Sequence, residues 1–123
     1  MGNYLNPGID GFVKTINSEI YIDKTGLLNY TNRVINTLQG YLCVSRPRRF
    51  GKSVTATMLA AYYSCECDSK ELFAPFEIAK SPDFETYLNQ YDTIFLNMQE
   101  FLSQSQDMDD MLALIRKSVL WEL

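Results

Sequence analysis

Three residues near the middle of the chain, Gly51-Lys52-Ser53, have the types and the order found at the end of a phosphate-binding loop. The full signature is G-x-x-x-x-G-K-[ST], and Arg46 stands where its first glycine is expected. In such a loop the glycine lets the backbone approach a phosphate, the lysine reaches the β- and γ-phosphates, and the serine hydroxyl ligates Mg²⁺. The spacing predicts a site for ATP and Mg²⁺, with Ser53 as the metal ligand. The predicted nucleotide-binding residues are Arg49, Phe50, Gly51, Lys52 and Ser53.

Positive charge is concentrated around this motif. Arg46, Arg48, Arg49 and Lys52 fall within seven positions, and residues 1–53 hold seven basic and three acidic side chains. The rest of the chain holds four basic and twelve acidic side chains, which gives the net charge of −4. A cluster this tight indicates an anionic ligand, either nucleotide phosphate or nucleic acid. A solvated basic loop is the alternative that needs no ligand.

The composition excludes several other kinds of chemistry. The chain contains no histidine, so it lacks the usual acid–base group at neutral pH and the commonest metal ligand. Its three cysteines include Cys65 and Cys67, whose one-residue gap does not match a zinc knuckle. Cys43 lies in an apolar run and is expected to be buried. Reduced thiols, no apolar run of 18 residues and no export signal predict a cytoplasmic protein without a membrane span.

The elements that must position the motif are a strand before it and a helix after it. The apolar run Tyr41–Val44 predicts a strand over 41–45, and the absence of glycine and proline from Val54 to Tyr63 predicts a helix over about 52–64. Further patterns predict a helix over 24–38 that follows Asp23, a short helix over 81–89, a strand over 93–98, and a final helix capped by Asp107. The expected inner face of that final helix is Met111, Leu112, Ile115, Val119 and Leu120.

This order of elements predicts an α/β fold. The chain would form the N-terminal portion of a P-loop NTPase-like domain, an open and mostly parallel sheet with flanking helices. We expect one partial domain over residues 1–123. Residues 1–40 would form an N-terminal linker and helix, and residues 41–123 the strand, loop, helix, connection, strand and helix.

Four segments together resemble the bacterial and archaeal AAA-ATPase-like family, whose members often carry a C-terminal PD-(D/E)XK nuclease-like domain. The most specific segment is Arg46-Pro47-Arg48-Arg49-Phe50-Gly51-Lys52-Ser53, in which arginine replaces the first glycine. The others are Tyr21–Thr25, Glu71–Ile78 and Ile94–Asn97. The family usually carries an acid where this chain has Asn97. The resemblance implies an ATPase and, through a missing C-terminal domain, a nucleic-acid partner.

The same comparison implies that parts of an ATPase are absent from this chain. No apolar strand ending in Asp-Glu follows the loop, and such an acid holds Mg²⁺ and orients water in P-loop ATPases. We therefore expect a fragment of an AAA-type ATPase that is inactive alone and that self-associates through an unpaired strand edge. Two other functions stay open. One is a nucleic-acid-binding module that uses Arg46, Arg48 and Arg49, with Phe50 stacking on a base. The other is a non-catalytic interaction remnant.

Overall fold

Helices carry almost all of the regular structure. The structure is a computed structural model that describes residues 4–18, 22–43 and 52–122, with Lys52 and Ser53 described by their helical backbone alone. The described residues contain seven α-helices and one short 3₁₀ helix. In chain order they are α1 (Asp10–Ile16), α2 (Gly26–Val34), α3 (Lys52–Tyr63), α4 (Lys70–Phe73), the 3₁₀ helix (Glu77–Lys80), α5 (Phe84–Tyr87), α6 (Met98–Ser103) and α7 (Met108–Glu122).

The hydrophobic core is built around α3. Met58, Ala61 and Tyr62 of that helix are buried at spacings of three and four residues, which places them on one helix face. Aromatic rings fill the space against this face, and Phe12 of α1 stacks on Phe73 of α4 with ring centroids 5.1 Å apart. Full burial of one such ring contributes roughly 1.5–3 kcal/mol. The core therefore fixes α3 to the short helices that follow it.

The predicted α/β fold is wrong for the part of the chain that the structure describes. No sheet forms there, and the extended contacts are two isolated bridges, an antiparallel one between Leu5 and Ile94 and a parallel one between Ser64 and Tyr91. The apolar runs that predicted strands find no neighbour long enough to pair their backbone groups. In the predicted strand over 93–98, pairing is limited to the Leu5–Ile94 bridge and the backbone hydrogen bonds of Thr93 and Phe95 on either side of it. Tyr41–Cys43 has no regular structure, and Val44 and Ser45 lie outside the described residues.

The helix predictions had mixed outcomes. Helix α3 confirms the predicted helix over 52–64, and α7 begins directly after Asp107, as predicted. Helix α2 ends at Val34 instead of residue 38, and α5 covers only Phe84–Tyr87 of the predicted 81–89. Helices α1 and α6 were not predicted. The predicted inner face of α7 is wrong at two positions, because Leu112 is 55% exposed and Leu120 is 57% exposed.

The length and polarity of the helices bear on the predicted absence of a membrane span. Within the described ranges, each helix is too short or too polar to cross a lipid bilayer.

Candidate functional site

The predicted site lies where α3 begins. The helix starts at Lys52, directly after Gly51, so the first two helical residues are the last two residues of the motif. Arg49, Phe50 and Gly51 lie outside the described residues, as do the side chains of Lys52 and Ser53. The first turn of α3 contains no acidic residue. An α-helix leaves its first N–H groups without intrahelical partners, and its dipole is positive at that end. The N-terminus of α3, as its backbone is described, is therefore suited to bind an anion.

Close packing holds α3 against α1. A Cβ atom added at Gly11 would lie 3.2 Å from Cγ2 of Thr57, a distance tighter than most real contacts. Glycine thus lets the two helix backbones approach each other at this position. The buried ring of Phe12, next in the chain, adds apolar contact on the same side. This contact fixes the middle of α3, about one and a half turns beyond Lys52.

A hydrogen-bonded network joins the other end of α3 to α2 and α5. The Tyr63 hydroxyl donates to Oδ1 of Asn32 at 2.6 Å, and the hydroxyls of Tyr63 and Thr31 are 2.6 Å apart. Nδ2 of Asn32 donates to the Tyr62 hydroxyl at 3.1 Å, which donates to the Phe84 carbonyl at 2.7 Å. Burial raises the pKa of Tyr63 to about 12, although its contact with Thr31 acts in the opposite direction. Both tyrosines are therefore neutral hydrogen-bonding groups at neutral pH, and they orient α3.

The last carbonyl groups of α3 are satisfied by one side chain from a distant loop. Nδ2 of Asn89 lies 3.1 Å from the carbonyl oxygen of Ala61 and 2.9 Å from that of Ser64. Its Oδ1 accepts from the backbone N–H of Ser69 at 3.0 Å. The backbone φ of Asn89 is 54°, a left-handed conformation that asparagine adopts more readily than most residues. Asn89 thus acts as a cap for α3, a role that the sequence analysis missed.

The segment before α2 is held by Asp23. This carboxylate accepts hydrogen bonds from the N–H and hydroxyl of Thr25 and, through its other oxygen, from the N–H of Glu77 at 2.9 Å. Partial desolvation opposes the effect, but the hydrogen bonds from Thr25 and Glu77 lower the pKa of Asp23. The Thr25 hydroxyl in turn accepts from the N–H of Ile78 at 3.2 Å. Asp23 and Thr25 therefore connect the start of α2 to the 3₁₀ helix.

Asn97, at the position where the resembled family usually has an acid, caps a helix. Its Oδ1 accepts a hydrogen bond from the N–H of Gln99 at 3.1 Å, at the N-terminus of α6. Serine, threonine, aspartate and asparagine are the residues that favour this position, because a short side-chain oxygen reaches the free N–H groups. The sequence alone offered this signal, but the surrounding residues predicted a strand.

No metal site is formed by the side chains of the described residues, since no three of their cysteine and acidic groups come together. Cys43, Cys65 and Cys67 form no disulfide with one another in the described residues, and Cys43 is exposed, so its predicted burial is wrong. The Cys65 thiol donates to Oδ1 of Asp92 at 3.2 Å. This hydrogen bond, together with partial desolvation, raises the pKa of Cys65. The thiol is therefore less reactive than a free cysteine.

Two apolar grooves border α3, and Leu59 and Tyr63 line both of them. The groove of about 320 Å³ opens toward the end of α2 and Leu42, and the groove of about 310 Å³ opens toward Thr93–Leu96. Neither groove is lined by a charged side chain. Neither therefore offers a phosphate group a binding site of its own, and the N-terminus of α3 stays the candidate.

Comparison with known proteins gives one match. The AAA-ATPase-like family model, described as "Predicted AAA-ATPase", matches residues 6–121. No curated protein and no solved structure matches the chain.

Proposed function

We propose that this chain, which belongs to the AAA-ATPase-like family and so has a general ATPase-like function, binds ATP with Mg²⁺ at the N-terminus of α3. The family match covers the loop and the helix together. The observation that carries the proposal is the start of α3 at Lys52, immediately after Gly51. A phosphate-binding motif requires its lysine and serine at the first turn of a helix.

The chemistry of the proposed site divides between backbone and side chains. Backbone N–H groups from Arg49 to Ser53 would surround the phosphates, and Gly51 would allow their close approach. Lys52 would contribute a positive charge on the β- and γ-phosphates. Ser53 would supply one oxygen ligand to Mg²⁺. One protein ligand suffices there, because Mg²⁺ keeps several waters and takes further oxygens from the phosphates.

Contacts with other elements support the proposal by fixing the position of α3 in the fold. Gly11 fixes the middle of the helix through Thr57, Asn32 fixes Tyr63, and Asn89 caps its end. A helix that is already formed and packed does not have to be ordered when a phosphate binds at its N-terminus, so less binding free energy is lost to entropy. No acidic side chain in the first turn opposes the anion.

The proposal is tested by calorimetric titration of the protein with ATP, once in the presence of Mg²⁺ and once with EDTA in its place. We expect Lys52→Ala to weaken ATP binding at least tenfold, because a charge-assisted contact with phosphate is lost. Ser53→Ala should remove most of the difference in ATP affinity between the titration with Mg²⁺ and the titration with EDTA. Lys14→Ala, which removes an exposed lysine from α1, is the matched control and should leave the affinity unchanged. A folded Lys52→Ala variant that binds ATP as tightly as the wild type would refute the nucleotide site.

A further inference from the structure

One stripe of apolar side chains on α7 is left uncovered by the described residues. Met108 is 62% exposed and Leu112 is 55% exposed, and Ile115 and Val119 are half-buried. Their spacing is four, three and four residues, which is the a/d pattern of a helix that packs along another helix. Met108 and Ile115 take the d positions of that pattern, and Leu112 and Val119 take the a positions. The side of α7 that faces its own domain is a different stripe, centred on the buried Met111. The uncovered stripe therefore has the pattern of a helix-packing surface without a partner in this part of the chain.

The stripe is symmetric along the helix. A two-fold axis between Ala113 and Leu114 would exchange Met108 with Val119 and Leu112 with Ile115. An antiparallel pair of α7 helices related by that axis would form four layers, each with one a residue and one d residue, which is how such pairs pack. The stripe is thus complementary to itself, as a two-fold interface requires.

The charges beside the stripe have the same symmetry. Asp109 and Arg116 both follow a d residue and are exposed, and neither side chain has a hydrogen bond or ion pair within the described residues. In the antiparallel pair each Asp109 would lie within about one turn of the Arg116 of the other copy, and the pair would contain two such contacts. In a parallel pair each of these residues would instead face a g residue of the other helix, which for Arg116 is Met111, so the two attractive contacts would not form. Charge and shape therefore both favour the α7 helix of a second copy, in the antiparallel direction, as the partner of the stripe.

We propose that two copies of this chain associate through α7, antiparallel, with Met108, Leu112, Ile115 and Val119 at the interface. The 15 residues of α7 span about 22 Å, so the contact is smaller than the roughly 1,200 Å² of a stable complex. We expect self-association at concentrations on the order of 100 µM. This interface is independent of the nucleotide site and does not involve a strand edge.

Sedimentation equilibrium of the 123-residue chain over a range of about 5–500 µM tests the proposal. The mass should rise with concentration from 14.2 kDa toward twice that value. Leu112→Glu should weaken association at least tenfold, because it places two charges at the centre of the interface. Leu120→Glu is the matched control. Leu120 is equally exposed on the same helix but lies outside the stripe, so its variant should still dimerise.

The charge pairs test the antiparallel arrangement directly. Asp109→Arg alone and Arg116→Asp alone should each weaken self-association about fivefold, since each creates two like-charge contacts. An equimolar mixture of the two variants should associate at least as well as the wild type, because every contact in the mixed dimer is attractive. Both residues are exposed, so neither change should affect folding. A mass of 14.2 kDa at all concentrations, equal effects of the two leucine variants, or no recovery on mixing would each overturn the proposal.

Discussion

Single asparagine side chains perform several of the structural tasks in this protein. Asn89 satisfies carbonyl groups at the end of α3, Asn32 joins α2 to the tyrosines of α3, and Asn97 caps α6. Asn6 is buried and donates to Asp92 at 3.0 Å. An amide carries a donor and an acceptor without a charge, so it can be buried among backbone groups at low cost. These residues are therefore where local substitutions should affect stability most.

Replacement of Asn89 should reveal two separate contributions to the free energy of unfolding. Asn89→Ala removes several hydrogen bonds and places at a φ of 54° a residue that adopts this conformation less readily than asparagine, and we expect a loss of about 2–4 kcal/mol. Asn89→Gly loses the same hydrogen bonds but tolerates the backbone conformation, so it should cost about 1 kcal/mol less. Urea unfolding followed by circular dichroism measures both.

Asn36 provides the control for that experiment. Its φ is 62°, but its side chain is exposed and has no hydrogen bond within the described residues. Asn36→Ala should therefore cost only the backbone strain, about 1 kcal/mol, and Asn36→Gly should be nearly neutral. If Asn89→Ala cost no more than Asn36→Ala, the hydrogen bonds to α3 would contribute nothing measurable.

The packing of α2 on α3 depends on the bond between Tyr63 and Asn32. Tyr63→Phe and Asn32→Ala should each lower the free energy of unfolding by about 1–2 kcal/mol. The first takes the Tyr63 donor from the buried Asn32, and the second takes a hydrogen-bond partner from both Tyr62 and Tyr63. The double variant should lose about 1 kcal/mol less than the sum of the single losses. Tyr30→Phe, which alters an exposed tyrosine on α2, is the control and should be neutral. Strict additivity in this cycle would contradict a direct energetic link between the two helices.

Elements whose signals are local could be predicted from the sequence, and those that need a distant partner could not. Helix α3 follows from its residues alone, and the start of α7 follows from Asp107. The strand predicted over 93–98 required a long neighbour, and the described structure supplies only the short segment 4–6, with Leu5 opposite Ile94. Helix α6 was missed because its polar sequence resembles a loop. It forms because Asn97 caps it and Phe101 is buried.

The candidate site was predictable in part for the same reason. The start of a helix at Lys52 follows from the motif and its flanking residues, and the structure has it there. The groups that hold this helix in place come from positions far away in the chain, such as Asn32 and Asn89. Nothing in a single sequence links residue 89 to residue 61, because that contact depends on the packing of every helix between them. The roles of Arg49, Phe50, Gly51, Lys52 and Ser53 stay predictions.

At the scale of the whole molecule, three acidic side chains have structural tasks. Asp92 accepts hydrogen bonds from Asn6 and Cys65, and Asp23 accepts them from Thr25 and Glu77. Those contacts keep both carboxylates ionised, and they lower the pKa of each. Asp107 accepts a hydrogen bond from the N–H of Asp110 in the first turn of α7. Hydrolysis of ATP needs an acid that positions the metal or the attacking water, and Asp23, Asp92 and Asp107 are already engaged in structural hydrogen bonds.

We therefore expect the 123-residue chain to bind ATP without turning it over. Phosphoryl transfer depends on positioned charge, and the motif supplies a phosphate site and one metal ligand but no acid to orient water. With ATP and Mg²⁺, the wild-type chain should release phosphate no faster than the Lys52→Ala variant. We expect this at a protein concentration of about 5 µM and also at about 300 µM, where a dimer would be present. The measurement at high concentration matters, because a second copy could add a group to the site. A steady rate that Lys52→Ala abolishes, at either concentration, would show that a catalytic acid exists among the residues considered to be structural.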